Sequence, residues 1–585
     1  MQFKNIGIGN VTVADFSRMN LAFADKTPFI KDLEDLSCEA VVFLRPRRFG
    51  KTLFTRILFN YYDRSLAGKF DENFNGTWIH SHRTPRAGSY YCLNFDFSRV
   101  VPDSRESRDS FILAVAAGIS YFSRRYPDKG FPEEALDPKL YSSASDLIGK
   151  FLMSFVRRAK DGERLYVIID EYDHFANEVL SKDSEAFRDL TSTAEQHDGM
   201  IKTFYTTLKS YSGRDAGSCI DRFYITGVSS VSLSSLTSGF NICSNISDNP
   251  KFNAMAGFTH DELSKIIDET VDFSTLGKIT KKQVMTILEQ RYDGYLFSES
   301  ASESIFCPNM CLTFLSRLIT NKKIPPLLSE GTLSADVANL DGMMRLAEPW
   351  ARDQLEEKIF RKESVRVILP QALNLNEHNL FDMSEAASML MYLGFLTAEH
   401  DSGDDDAPDD LMNYRCPNEA SYQVFLNYIQ SLTGLGRWNQ TDLSMLEEKG
   451  DIRPLIDAVA LFIRRMKDSS FAGFNERTLQ TVFYFTVKDS ARRGLTVSIE
   501  YDTGAHGRAD LFIQNRRPGS RQLLLELKYL SKARGTDQAV AAKLNEAKEQ
   551  LRRYRAAPNF CNVRNLDCWS VVFVNSEPEA VEKLT

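Results

Sequence analysis

The spacing of apolar and polar positions changes twice along this chain of 585 residues. Over residues 1–270, short apolar runs that end at a polar residue alternate with amphipathic stretches, which is typical of an α/β domain with a mainly parallel sheet. From 271 to 450 the period is helical, and from 451 to 585 helices and strands alternate again. A chain this long exceeds one hydrophobic core, so the pattern predicts an α/β multidomain protein with boundaries near 270 and 450. The predicted strands of the first region are Ala40 to Leu44, Tyr90 to Phe95, Leu165 to Ile169 and Arg222 to Val228.

The middle region, 271–450, contains a helix–strand–loop–strand order. A helical pattern over Met383 to Leu393 precedes a strand-like run, Phe395 to Ala398, then an acidic loop, Gly403 to Asp410, and a second run, Tyr414 to Pro417. This order fits a winged-helix unit, and it equally fits a helix beside a surface hairpin. Because the aspartates of the loop would repel phosphates, we assign it no role in reading DNA.

A hairpin in the last region brings charged residues together. The Pro-Gly pair within Asn515 to Ser520 is a strong turn signal between two apolar runs. A turn centred near Pro518 sets Asp510 opposite Glu526, with Cβ atoms about 5 Å apart. The period of two places Lys528 on the same face as Glu526. The region's other predicted elements are helices Ile452 to Met466, Glu476 to Lys488 and Gln538 to Tyr554 and a strand Thr496 to Glu500.

Two carboxylates and one ammonium group at this spacing indicate metal-dependent phosphodiester hydrolysis. Asp510 and Glu526 offer the hard oxygen ligands that Mg²⁺ or Mn²⁺ prefers. The ammonium of Lys528 could orient the attacking water or stabilise the charge on the phosphate. The alternative is a surface hairpin with an ordinary Glu/Lys pair.

A Gly-Lys-Thr sequence follows the first predicted strand and leads into an apolar, helix-like stretch, Leu53 to Tyr62. A strand, loop and helix in this order cradle phosphates: Lys51 would reach the β- and γ-phosphates of ATP and Thr52 would hold Mg²⁺. Arg45 stands where the P-loop pattern requires its first glycine, and Pro46 supplies no N–H, so we expect the loop to follow a different path and nucleotide binding to be weak. The candidate nucleotide-binding residues in this loop are Arg47, Arg48, Gly50, Lys51 and Thr52.

Two later strands complete the candidate nucleotide site. The run Leu165 to Ile169 ends in two acids, so Asp170 would bind Mg²⁺ through water and Glu171 would polarise the attacking water. Thr226 or Ser229, at the end of another strand, could contact the γ-phosphate, although a serine-rich loop explains this run as well.

Both sets of motifs resemble one known family. AAA-ATPase-like domains are similar to the N-terminal region in the motifs RPRRFGKT, VIIDEYD, ITGVSSVS and TSGFN, with YDGYLF further on. PD-(D/E)XK nucleases resemble the C-terminal region in the motif GRAD followed by ELK. Some proteins carry both regions, among them bacterial and eukaryotic mobile-element or Crinkler-type proteins. The resemblance implies a P-loop NTPase over 1–270, a helical middle region over 271–450 and a restriction-endonuclease-like domain over 451–585. It also implies that Glu476 and Glu500 join the metal site and that Gln550 and Tyr554 flank it.

The resulting prediction is an NTP-regulated, metal-dependent nuclease that uses Mg²⁺ or Mn²⁺ and ATP and acts on nucleic acid, with DNA favoured over RNA. The alternative is a nucleotide-switched nucleic-acid-binding or signalling protein with weak or no cleavage. Residues 515–555 hold eleven Lys or Arg against four acids, although the whole chain has a net charge of −8. Such a stretch would attract phosphates, and a solvated helix face explains part of it.

Cysteine usage and the N-terminus bear on location. Nine dispersed cysteines form no disulfide or zinc-ligand framework, which favours a reduced compartment. We find neither a signal-peptide pattern nor an apolar run long enough to cross a membrane. We therefore expect an intracellular protein, cytoplasmic or nuclear, with no membrane partner, and its oligomeric state stays open.

Overall fold

The structure is a computed structural model. It describes residues 3–8, 13–100, 107–174, 199–215, 217–230, 242–325, 327, 330–370, 373, 380–399, 411–432, 444–464, 474–490, 495–505, 507–515 and 519–584. The acidic loop 403–410, the serine-rich run 231–241 with its Thr-Ser-Gly-Phe-Asn motif, and the turn residues 516–518 lie outside these ranges.

The chain divides into two compact units. The first comprises 1–335, 339–355 and 364–422, and the second comprises 336–338, 356–363 and 423–585. The two units do not begin or end at 270 or 450. The three domains bounded at those positions remain a prediction.

The strands, in chain order, are β1 Asn5–Ile6, β2 Leu21–Ala22, β3 Ala40–Leu44, β4 Tyr91–Asp96, β5 Leu165–Asp170, β6 Ile220–Gly227, β7 Cys243–Asn245, β8 Val365–Val367, β9 Thr397–Ala398, β10 Met412–Arg415, β11 Leu495–Asp502, β12 Arg508–Asn515, β13 Gln522–Leu530, β14 Leu566–Val574 and β15 Glu577–Lys583. The α-helices are α1 Val13–Arg18, α2 Pro28–Glu34, α3 Lys51–Tyr62, α4 Phe70–Phe74, α5 Trp78–Ser81, α6 Ser107–Arg125, α7 Ala144–Arg158, α8 Met200–Ser210, α9 His260–Thr270, α10 Lys281–Tyr292, α11 Pro308–Asn321, α12 Glu330–Leu346, α13 Pro349–Phe360, α14 Met383–Leu393, α15 Glu419–Leu432, α16 Ser444–Lys449, α17 Arg453–Arg464, α18 Glu476–Ser490 and α19 Asp537–Ala556.

A five-stranded parallel sheet forms the centre of the first unit, in the order β4-β5-β6-β3-β7. All four predicted strands are confirmed within two residues. Every residue of β3 and of β5 is buried, as expected for parallel strands covered on both faces. Because β6 lies between β3 and β5 and runs parallel to both, the carboxyl ends of all three strands meet at one edge of the sheet. That edge carries the candidate nucleotide site.

The helix and the two strands predicted in the middle of the chain are confirmed. Helix α14 begins with a capping box at Asp382 and Glu385 and ends at Gly394, whose φ of 84° suits a glycine. Strands β9 and β10 then pair antiparallel, and β8 adds a third strand in the order β8-β10-β9. The assignment of this segment as a winged-helix unit stays a prediction.

A five-stranded mixed sheet, ordered β11-β12-β13-β14-β15, forms the centre of the second unit. The predicted hairpin is confirmed as β12 and β13, and β14 adds to β13 in parallel after helix α19. Helix α17 places its buried residues, among them Leu455, Val459 and Ile463, at helical spacing along one face. The elements run in the order helix, three antiparallel strands, helix, parallel strand and final strand.

Among the described residues, no helix is both long enough and apolar enough to cross a membrane.

Candidate functional site

The loop between β3 and α3 has the strand–loop–helix path of a phosphate-binding loop. Gly50 caps α3 with a φ of 98°, and Arg48 also has a positive φ, 74°. Lys51 is buried, and its Nζ donates to the carbonyls of Arg45 at 2.8 Å and Pro46 at 3.0 Å. Burial lowers the pKa of Lys51, while the negative charges of Glu171 and Asp170 oppose that shift. The ammonium group thus lies at the start of α3, inside the loop.

Arg45 explains how the loop forms without its first glycine. Arg45 is not among the residues with positive φ, and its side chain is fully buried. The guanidinium lies over the rings of Phe43 and Phe297, at 4.3 and 4.1 Å, and donates to the carbonyls of Ser247 at 2.8 Å and Phe252 at 3.1 Å. The side chain therefore anchors the loop to the interior of the unit, and the positive φ angles move to positions 48 and 50.

The two acids after β5 lie beside the loop. Asp170 accepts a hydrogen bond from the Thr52 side chain. Burial raises the pKa of Asp170 to about 6; the Thr52 hydrogen bond opposes the shift and the Glu171 charge adds to it. Glu171 has a φ of 55°, a costly backbone conformation for a non-glycine residue, and His174 Nδ1 lies 3.8 Å from its carboxylate. The structure thus brings Lys51, Thr52, Asp170 and Glu171 together.

Thr226 and Ser229, the two candidates for contact with the γ-phosphate, are fully buried. The Thr226 hydroxyl donates to the carbonyl of Phe43 at 2.7 Å, and the Ser229 hydroxyl donates to Asp173 at 2.9 Å. Asp173 also accepts hydrogen bonds from the backbone N–H groups of Val228 and Ser229, so it ties the turn after β5 to the end of β6. Sequence reasoning missed Asp173, because a third acid after a strand carries no signal of burial.

A cavity of 450 Å³ opens beside the loop. Its polar and charged lining includes Arg47, Arg48, Gly50, Lys51, Thr52 and Glu171. Its apolar lining includes Ile8, Phe16, Phe23, Phe258 and Leu312, and the rings of Phe16 and Phe23 stack at 4.5 Å. Charged groups and aromatic rings in one cavity suit the phosphates and the base of a nucleotide. Sequence reasoning missed the apolar lining, because its residues come from three distant segments.

In the second unit, three carboxylate side chains occupy neighbouring positions on the adjacent strands β11, β12 and β13. The pairs Ile499–Leu511 and Tyr501–Ala509 set Glu500 opposite Asp510, and continuation of the ladder beyond Leu511–Leu525 sets Glu526 on the other side of Asp510. The predicted hairpin register is therefore confirmed. We call Glu500, Asp510 and Glu526 the carboxylate row. All three side chains are buried, and Glu500 has a φ of 47°.

Lys528 lies at one end of the row. Its Nζ donates to Glu526 Oε1 at 3.0 Å and lies 3.5 Å from Glu476 Oε1 on α18. The second carboxylate oxygen of Glu526, Oε2, is buried without a hydrogen-bond partner. Asp510 Oδ2 accepts from the backbone N–H of Leu527 at 2.6 Å. The structure thus brings Asp510, Glu526 and Lys528 of the predicted hairpin together with Glu476 and Glu500, the two acids that the resemblance suggested.

The row carries more negative charge than its surroundings offset. Burial raises the pKa of Asp510 well above its usual range, and Glu526 adds to the shift. Burial likewise raises the pKa of Glu526 to about 7, against the charge of Lys528. Burial raises the pKa of Glu500 to about 8, and Asp510 adds to it. A cation bound at the row would stabilise the ionised forms.

The chemistry of the row fits a divalent cation. Among the described residues, no group of three or more His, Cys, Asp or Glu side chains is arranged to hold a metal ion. Mg²⁺, however, commonly binds through one or two carboxylates and keeps several waters. The unpartnered Glu526 Oε2, next to the hard oxygens of Asp510, suits this ion.

Helix α19 contributes the two predicted flanking residues. Tyr554 is buried, and burial together with the charges of Glu526 and Asp510 raises its pKa. Gln550 lies one helical turn earlier, and its Oε1 is a buried atom without a hydrogen-bond partner. Sequence reasoning missed Gln480 on α18, whose Nε2 donates to Asp510 Oδ1 at 2.5 Å. The spacing of four residues from Glu476 was the available signal, since it puts both on one helix face.

The basic stretch 515–555 is partly neutralised. Lys543 pairs with Glu546 at 2.7 Å, Lys548 with Glu582 at 2.6 Å and Arg521 with Asp567 at 2.8 Å. Glu582 and Asp567 lie beyond the counted stretch, so the local excess of positive charge is smaller than the sequence count suggests.

Comparison with known families gives one match, which lies within the first unit. Residues 6–237 match a family model described as a predicted AAA-ATPase, of the AAA-ATPase-like type. No curated protein matches the chain. The matched segment contains the phosphate-binding loop, β5 with its two acids and β6, so the match supports a predicted AAA-ATPase-like domain over residues 6–237.

Proposed function

We propose that this chain is a nucleotide-regulated, metal-dependent nuclease of the PD-(D/E)XK type, which hydrolyses phosphodiester bonds of nucleic acid at the carboxylate row. DNA is the favoured substrate. The observation that carries the proposal is the row itself, in which Asp510 lies between Glu500 and Glu526 and Lys528 closes one end.

The order of elements in the second unit supports the proposal. A helix, three antiparallel strands, a second helix and a parallel strand make up a restriction-endonuclease-like core, and α18, β11–β13, α19 and β14 follow that order. In this arrangement β12 and β13 bring the acids to the sheet face from which α18 supplies Glu476.

Each residue has a chemical role. Asp510 and Glu526 would hold Mg²⁺ or Mn²⁺, with Glu500 and Glu476 nearby. The bound cation would lower the pKa of a water molecule and offset charge on the phosphate. Lys528 would donate its N–H groups to the attacking water or to a phosphate oxygen. Without a cation the acids outnumber Lys528 and repel the phosphate, so activity should require the metal.

The nucleotide site supports the regulatory half of the proposal. The cavity offers Lys51, Thr52 and the arginines to phosphates and an aromatic wall to a base. ATP is the expected ligand, with Mg²⁺ held by Thr52 and Asp170 and with Glu171 as the group that polarises water. Lys51 must leave the carbonyls of Arg45 and Pro46 to reach a phosphate.

Cleavage assays with matched variants test the nuclease. We expect supercoiled and single-stranded DNA to be cleaved with Mg²⁺ or Mn²⁺ and not with EDTA. Asp510→Asn and Lys528→Met should each lower the rate about 100-fold or more, because each removes a group that acts on the reacting phosphate. The control is Lys548→Met, which removes the same charge from the surface pair with Glu582 and should leave the rate within about twofold. Equal cleavage by Asp510→Asn and the parent protein would refute the site.

A second candidate is a nucleotide-switched nucleic-acid-binding or signalling protein with weak or no cleavage. It is favoured by the hydrogen bonds of Lys51, because its ammonium group donates to two carbonyls of the loop instead of pointing to a phosphate. ATP hydrolysis without cleavage of any DNA or RNA, measured on one preparation, would support this candidate over the nuclease.

A further inference from the structure

Gln480 joins two members of the carboxylate row. Its Nε2 donates to Asp510 Oδ1 at 2.5 Å, and its side chain lies close enough to Glu500 to oppose the rise in the pKa of that carboxyl. Gln480 is 3% exposed, so water does not replace the bond to Asp510. One buried amide therefore connects neighbouring carboxylates on β11 and β12.

The chemistry of the partners fixes the direction of this amide. The bond to Asp510 is made by Nε2, so the NH₂ group of Gln480 faces that carboxyl group, and the ionised carboxylates of a metal-bound row could only accept from it. The opposite orientation would turn the carbonyl oxygen against two acids. Consistently, Gln480 Oε1 is the atom left without a hydrogen-bond partner.

Asp510 is held by donors from two different elements. Gln480 of α18 bonds Oδ1, and the backbone N–H of Leu527 on β13 bonds Oδ2. Two donors on the two oxygens fix both the position and the plane of the carboxylate. The positive φ of Glu500, 47°, is a costly backbone conformation for a non-glycine residue and a further sign of a constrained site.

We propose that Gln480 is a positioning residue of the proposed nuclease: its amide holds Asp510 and Glu500 side by side in the orientation in which the row binds a divalent cation. This inference rests on the proposed function of the row. Gln480 touches neither substrate nor water in the role assigned here, and acts through the two acids. Residues that orient metal ligands typically change metal affinity 10- to 100-fold when replaced.

Metal binding and cleavage by the full chain test the proposal together. Mn²⁺ binding is measured by calorimetry without nucleotide, and the part lost in Asp510→Asn identifies binding at the row. Gln480→Met keeps the length of the side chain and removes both donors, so Mn²⁺ affinity at the row should fall about 10-fold or more. Gln480→Asn keeps the amide but shortens its reach, and the same direction of change is expected.

Gln423 provides the matched control. It is 6% exposed, belongs to the second unit and accepts hydrogen bonds from Tyr484 at 3.0 Å and Lys488 at 2.8 Å, away from the row. Gln423→Met removes an equally buried amide, so its effect on thermal unfolding reports the structural cost alone. Its Mn²⁺ affinity should equal that of the parent.

The outcomes separate the two proposals. Parental Mn²⁺ affinity in both Gln480 variants, or an equal loss in Gln423→Met, would overturn the positioning role even if the parent cleaves DNA. Weakened Mn²⁺ binding in the Gln480 variants, in a parent that cleaves no nucleic acid, would support the positioning role and overturn the nuclease.

Discussion

Removal of the charge of Glu356 should loosen helix α18, which carries Glu476 and Gln480. Glu356 lies on α13, in the second unit, and its Oε2 accepts from Arg477 at 2.5 Å. The two side chains are 5% and 7% exposed, and Tyr428 donates to Glu356 Oε1 at 2.8 Å. Glu356→Gln keeps the shape and the Tyr428 bond but leaves the guanidinium of Arg477 without its main counter-charge.

The expected cost follows from this burial. Removal of one partner of a buried ion pair costs about 3–5 kcal/mol, because the other charge stays in a medium of low dielectric constant. Glu357 lies 3.8 Å from Arg477 and is 42% exposed, so it offsets part of the loss. We therefore expect about 3 kcal/mol, which corresponds to roughly a 150-fold change in an equilibrium constant.

Hydrogen exchange of the full chain measures the loss of stability of helix α18 separately from that of other elements. Peptides from α18 should exchange about 100-fold faster in Glu356→Gln than in the parent, while peptides from β3–β6 of the first unit stay unchanged. Glu577→Gln is the control, because it removes an acid from the exposed pair with Arg464 and should not alter exchange in α18. The reasoning fails if Glu356→Gln exchanges like the control.

Three further predictions concern the nucleotide site. Lys51→Met should weaken ATP binding in calorimetry by 10-fold or more and leave cleavage without nucleotide unchanged; loss of both activities would contradict the separate roles of the two sites. Phe23→Ala removes one of the aromatic rings that line the cavity, so it should weaken ATP binding more than tripolyphosphate binding, and equal weakening would argue against a base beside Phe23. Asp170 has a pKa of about 6, so its carboxylate loses charge as the pH falls through 6, and Mg·ATP affinity should then fall by up to about 10-fold per pH unit. Asp170→Asn should not show this loss of affinity, whereas a loss caused by protonation of the nucleotide would remain in the variant. Identical pH profiles of the variant and the parent would refute the role of Asp170.

Local sequence determined the strands and the register of the C-terminal hairpin. Apolar runs that end in polar residues predicted β3, β4, β5 and β6, because buried parallel strands need continuous apolar residues. The turn predicted at the Pro-Gly pair implied a register with Asp510 opposite Glu526, and the observed pairs from Leu511–Leu525 to Ile513–Leu523 follow that register. These features depend on neighbouring residues alone.

The tertiary structure decided how distant segments complete each site. The apolar lining of the nucleotide cavity combines residues near 8–23, 258 and 312, and no local pattern links them. Arg45 was expected to divert the phosphate-binding loop, but only the packed unit shows that Phe43 and Phe297 enclose its side chain. Likewise, Gln480 meets Asp510 and Glu356 meets Arg477 only after folding. Periodicity reports which face of an element is buried, whereas the partner on that face is chosen by packing between elements far apart in the chain.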